Sequence, residues 1–143
     1  MDFRDFWYVV SESRALKPNQ VIARQVLDEW LAIYRDASGQ AIALQDRCLH
    51  RASQLSRGTV RNGELTCGYH GWVYDGEGKV VRVPSLGPEG KKLGNRCAKR
   101  YPVKEQDGFV DVRLNESPED ALERSMDRME LDAMIQKVVR SAA

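Results

Sequence analysis

At 143 residues, with 42% hydrophobic and 30% charged side chains, the chain is long enough to bury one core of ordinary size without disulfide staples. A net charge of +1 gives no overall basic footprint, which argues against nucleic acid as a partner, and no apolar run reaches membrane-spanning length. The opening MDFRDFWYVV carries two acidic residues where a signal peptide needs a basic flank, so the expected compartment is the cytoplasm, with no membrane partner.

From residue 6 to residue 114 the sequence runs through short β-branched and aromatic segments separated by turn signals: FWYVV, QVIARQVL, WLAIYR, AIALQ, ELTC, WVYD, KVVRV and FVDVRL. This is the pattern of an all-β antiparallel sandwich or barrel. WLAIYR and AIALQ are joined by Ala37-Ser38-Gly39, with glycine where a three-residue hairpin loop uses a left-handed residue. Asn62-Gly63 suits a type I′ turn, so 59–61 and 64–66 should pair and deliver Cys67 near the end of the hairpin. Asp75-Gly76-Glu77-Gly78 turns the chain into KVVRV, which Pro84 ends. No internal repeat is visible.

At Ser117 the character changes. Ser117-Pro118-Glu119-Asp120 offers an N-cap, a proline at the first helical position and acidic residues in the first turn, followed by a tail free of proline and glycine. The expected organisation is a β domain over 1–116 and an amphipathic C-terminal helix or tail over 117–143. Leu122, Met126, Met129 and Ala133 form one apolar stripe, extended by Met134, Val138 and Val139. It either packs on the chain's own sheet or docks on a partner, giving an oligomer through the helix.

The chain has two histidines and three cysteines, and four of these five residues gather between 48 and 70 as C-x-H, sixteen residues, then C-x-x-H. Thiolate sulfur and imidazole nitrogen both suit iron and zinc, so Cys48, His50, Cys67 and His70 make a complete four-ligand set. From the residues alone two centres fit: a structural zinc site, which would make the chain a zinc-stabilised binding module, or a two-iron cluster. Zinc knuckles usually pair two cysteines, whereas each loop here is mixed, which suits an iron pair with sulfur on one metal and nitrogen on the other. Cys97 has no ligand-type neighbour and reads as a structural thiol.

These motifs, with FWYVV, Cys48-Leu49-His50-Arg51, Leu55-Ser56-x-Gly58, YHGWVYD and Val83-Pro84, resemble the Rieske [2Fe-2S] proteins. They are most similar to the N-terminal domain of ring-hydroxylating Rieske non-haem iron oxygenases and related demethylases, over roughly residues 5 to 114. The resemblance implies an all-β fold whose cluster sits at one end between two loops, with Cys48 and Cys67 on the inner iron and His50 and His70 on the outer one. Leu49 and Gly68 stand where the family often has proline, and the extra cysteine pair of respiratory Rieske proteins is absent from both loops.

The implied function is one-electron transfer from a reductase or ferredoxin to a mononuclear iron oxygenase centre in an oxidoreductase system, for example in aromatic compound catabolism. That second iron needs two histidines and a carboxylate, and no histidine remains after His50 and His70, so it must lie on another chain or on an absent region. An alternative is that the sequence is the N-terminal fragment of an oxygenase large subunit. His50, His70 and Trp72 are the candidate partner face, with Trp72 equally placed to be a hydrophobic lid. A basic run, Lys91, Lys92, Arg96, Lys99 and Arg100, and the acidic stretch from 116 to 132 are solvated surfaces or steering charges.

Overall fold

WLAIY and AIAL do not alternate between apolar and polar residues as a half-buried strand should, and the computed structural model shows why. They lie in the middle layer of three, so both of their faces are covered. The structure describes residues 2–48, 53–68, 71–83 and 98–120. All strand pairing within it is antiparallel.

The middle sheet has the order β2-β3-β4-β9, formed by Val21–Val26, Glu29–Arg35, Ala41–Gln45 and Arg100–Tyr101. Leu31, Ile33, Ala41 and Ala43 point to one side, into a core shared with Val10, Tyr101, Val110 and Val112. That side is closed by the sheet β1-β11-β10, made of Tyr8–Glu12, Phe109–Val112 and Val103–Gln106. Ala32, Tyr34, Ile42 and Leu44 point the other way, into the core that holds Cys48, Leu55, Cys67, Trp72 and Tyr74. The meander β5-β6-β7-β8 closes it, with strands Thr59–Arg61, Glu64–Thr66, Val73–Tyr74 and Val80–Arg82.

The expected all-β fold is therefore present as three stacked sheets. FWYVV begins its strand only at Tyr8, because Phe3–Asp5 forms a 3-10 turn in which the Asp2 carboxylate accepts from the Arg4 N–H at 2.9 Å. β9 and β10 were not expected from the sequence; Pro102 interrupts them, and each is short. Ser117 does cap a helical turn over 118–120: the Asp120 N–H donates to Ser117 Oγ at 3.2 Å and the Asp120 carboxylate accepts the Ser117 N–H at 2.9 Å. Arg113 also pairs with Asp120, and its guanidinium stacks on Trp7 at 4.8 Å. The apolar stripe from Leu122 to Ala133 lies outside the described residues, as do Cys97 and the basic residues Lys91, Lys92 and Arg96.

One buttress ties the layers at the end of β3. Arg35 forks onto Glu105 of β10 at 2.9 and 2.7 Å and also donates to the carbonyls of Leu16, Ser13 and Gly39. The Arg35 hydrogen bonds hold the Glu105 carboxyl down at about 2, from an ordinary 4.5. A carboxylate whose pKa is depressed by folding stabilises the native state above the unfolded value, and that contribution disappears as pH falls from about 4.5 to about 2. With the side chain one-third exposed, solvent screening leaves about 1 kcal/mol. Glu105→Gln should lower urea stability by that amount at neutral pH and by nothing near pH 2, as paired denaturation curves would show; a gap of equal size at both pH values would contradict this linkage.

Candidate metal centre

The β5–β6 hairpin turns through Asn62-Gly63, both at positive φ (53° and 78°), the pair a type I′ turn requires. A Cβ on Gly63 would stand 2.0 Å from the Ala37 nitrogen, so the turn is pressed onto the β3–β4 loop. That contact fixes one end of the meander. Its other end carries Cys67, the residue after β6.

Cys67 and Cys48 begin two loops built in the same way. The Cys67 N–H donates to the Trp72 carbonyl at 2.7 Å, and the Cys48 N–H donates to the Ser53 carbonyl, also at 2.7 Å. Each cysteine thus closes a loop on the carbonyl five residues further on, and each loop contains one of the two histidines in the sequence. Gly71, at φ 70°, supplies the left-handed position that turns the second loop back into Trp72. His50 and His70 themselves lie outside the described residues, together with Leu49, Arg51, Ala52 and Tyr69.

The loops are held against each other by backbone contact. A Cβ on Gly58 would meet the Thr66 carbonyl oxygen at 2.0 Å, and one on Gly68 would lie 3.2 Å from the Arg57 carbonyl oxygen. Asp46 anchors the first loop from below: it is 7% exposed, and its carboxylate accepts both the Ser56 N–H at 2.7 Å and the Ser56 hydroxyl at 2.6 Å. The 3-10 turn Leu55–Arg57 is thereby fixed to the strand end that leads into Cys48. Asp46 was not expected from the sequence as part of the site; its place two residues before the candidate ligand Cys48 is the signal that marks it.

Cys48 and Cys67 are each 1% exposed, in a core with Leu55, Leu65, Trp72 and Val80. The Tyr74 hydroxyl lies 3.1 Å from Cys48 Sγ. Either atom can donate in this pair; against a metal-bound thiolate the hydroxyl would be the donor and would draw negative charge from the sulfur. Next to it, the Tyr34 hydroxyl donates to the Asp75 carbonyl at 2.9 Å; burial, then the Asp75 charge, hold the Tyr34 phenol well above its ordinary range, so it keeps its proton. Trp72 is 7% exposed and packs in the core cluster with the two cysteines. Two buried sulfurs, each at the base of a matched closed loop with a histidine in it, are a donor set that fits a mixed sulfur and nitrogen metal centre.

The Rieske [2Fe-2S] domain matches residues 6–105, and the chain belongs to that family. Its cofactor is the Rieske [2Fe-2S] cluster. The match is to the N-terminal Rieske domain of Rieske non-haem iron oxygenases. It is 40% identical to the 4beta-methylsterol monooxygenase of Methylococcus capsulatus over 107 residues, covering 74% of this chain and 29% of that protein. The vanillate O-demethylase oxygenase subunit of a Pseudomonas species is 36% identical over 113 residues, covering 76% and 29%. Among solved structures, dicamba monooxygenase superposes with a TM-score of 0.71 at 34% identity, over 79% of this chain and 35% of that one. A ferredoxin complex of carbazole 1,9a-dioxygenase gives 0.70 at 33% identity, over 80% and 30%. The chain thus spans less than a third of the length of these curated relatives. Among the described residues no helix is long and apolar enough to cross a membrane.

Proposed function

We propose that the chain relays single electrons through a [2Fe-2S] cluster held by Cys48, His50, Cys67 and His70, from a reductase or ferredoxin to a mononuclear iron oxygenase centre. The observation that carries this reading is the pair of buried cysteines closing matched loops, Cys48 on Ser53 and Cys67 on Trp72. When bound, the cluster supplies a site that takes up and gives back one electron without making or breaking a bond. The protein's share is positional: the Tyr74 hydroxyl, 3.1 Å from Cys48 Sγ, would donate to the sulfur once it holds iron, Trp72 and Leu55 keep water from the sulfur side, and Asp46 fixes the first loop through Ser56.

The oxygenase centre belongs to another chain or to a further region of the same protein, since both histidines fall within the two loops. The short coverage of the relatives favours the second arrangement, in which this sequence is the N-terminal part of an oxygenase large subunit. Relatives named for 3-chlorobenzoate and vanillate support a setting in aromatic compound catabolism.

Anaerobic purification with iron and acid-labile sulfide analysis, followed by electron paramagnetic resonance of the reduced protein, tests the reading. Equal amounts of iron and sulfide with a reduced-state signal are expected; a colourless protein holding zinc would instead establish the binding-module alternative. Supplied with electrons and dioxygen, the chain alone should yield no hydroxylated product, and turnover would refute the assignment of the second iron elsewhere.

A further inference from the structure

We propose that Trp30, flanked by Arg47 and Arg57, is the contact on which an acidic electron-donor protein docks beside the two cysteine loops. The proposal rests on the electron-relay reading and names the partner of that site.

The alternation along β3 puts Trp30 on the same side as Ala32 and Tyr34, which belong to the core around Cys48 and Cys67. At Trp30 that face runs out into solvent. Its side chain is 48% exposed and, among the described residues, stacks on no ring and carries no cation. An uncovered tryptophan at the rim of a redox core is the residue type most enriched at interface hot spots.

Its place beside the centre is set by backbone bonds. The Asp46 N–H donates to the Trp30 carbonyl at 2.9 Å, two residues before Cys48. Through the Asp46 carboxylate the turn Leu55–Arg57 is held at the same place, and the Arg57 carbonyl in turn abuts Gly68 of the second loop. Trp30, Arg47 and Arg57 therefore border the ground between the loops.

The unpaired charge there has one sign. Between residues 47 and 61 the sequence has four arginines and no acidic residue. Arg47 and Arg57 are exposed, and neither forms an ion pair among the described residues. The carboxylates beside Trp30 in sequence, Asp28 and Glu29, both pair with Arg4, and Asp46 is buried with both oxygens on Ser56. Unpaired exposed charges attract a partner over roughly a Debye length, about 10 Å at 0.1 M salt, which suits a carrier that must find this face by diffusion. The complementary partner is a protein with an acidic surface around its own redox centre. A docked donor with a reduced [2Fe-2S] centre would give up one electron and be oxidised, and the cluster held by Cys48, His50, Cys67 and His70 would take that electron without a bond forming or breaking.

The test is titration calorimetry of the cluster-loaded chain with an oxidised plant-type [2Fe-2S] ferredoxin of net negative charge, at low ionic strength. Trp30→Ser should weaken the complex about tenfold or more, the double variant Arg47→Glu and Arg57→Glu should do the same, and wild-type affinity should fall as salt rises. Visible spectra and melting curves show beforehand that each variant is loaded and folded, and if Trp30→Ser fails there, the arginine variant decides alone. Unchanged affinity in the variants, or no binding by the wild type, overturns the docking assignment. Normal ferredoxin binding with lost association to the oxygenase chain also overturns it, giving the face to the acceptor. A wild-type chain without cluster absorption, seen before any ferredoxin is added, overturns the relay reading instead.

Discussion

Replacing Cys67 with alanine is expected to leave the protein colourless, stripped of both iron and sulfide. The substitution removes one heavy atom from a site that is 1% exposed and lined by Leu65, Trp72 and Val80, so the packing loss is small, about 1 kcal/mol. Global unfolding is therefore not what removes the colour. On the proposed ligation, what is lost is a thiolate from a set with no spare member, because the remaining cysteine outside the loops is Cys97, thirty residues further on. Cys97→Ala should retain the full visible spectrum. Circular dichroism of Cys67→Ala should stay β-like, with a lowered melting temperature from loss of the stabilisation that a bound metal centre gives the folded state. An undiminished visible spectrum in Cys67→Ala would be incompatible with cysteine ligation at this position.

How far the sequence disclosed this arrangement depends on how local each feature is. The two cysteine–histidine pairs stand out as a candidate ligand set because each is separated by one or two residues, and the Asn62-Gly63 turn was legible because its backbone demand falls on two adjacent residues. The central strands were legible as strands from their β-branched content, but their unbroken hydrophobicity concealed a third layer. Asp107-Gly108, at φ 56° and 82°, carries the same hairpin signature as Asn62-Gly63 and went unused, which is why β10 was missed beside β11. How deep the Trp72 ring sits is a property of packing that no spacing encodes. The part played by Gly58 was equally hidden, since the atom it makes room for belongs to Thr66 on the far strand of the hairpin.

Gly58→Ala follows from that contact and should be strongly destabilising. At φ −84° and ψ −162° Gly58 has a backbone conformation any residue adopts, so strain in its own dihedrals is not the issue. The new Cβ would sit 2.0 Å from the Thr66 carbonyl oxygen, far inside van der Waals contact, and that atom is backbone within the paired strand β6 rather than the end of a mobile side chain. Either β5 or β6 must move. The expected loss is about 3 kcal/mol or more, at the upper end for overpacking, measured as a fall in the urea midpoint. Gly68→Ala is the control: its Cβ would lie 3.2 Å from the Arg57 carbonyl, a few tenths of an ångström too close, so a much smaller loss is expected. Because Thr66 is bonded directly to Cys67, displacement of β6 carries the second loop with it, so Gly58→Ala should also release iron to a chelator faster than Gly68→Ala does. Equal stability and equal iron retention in the two variants would mean that the loops do not depend on this close approach.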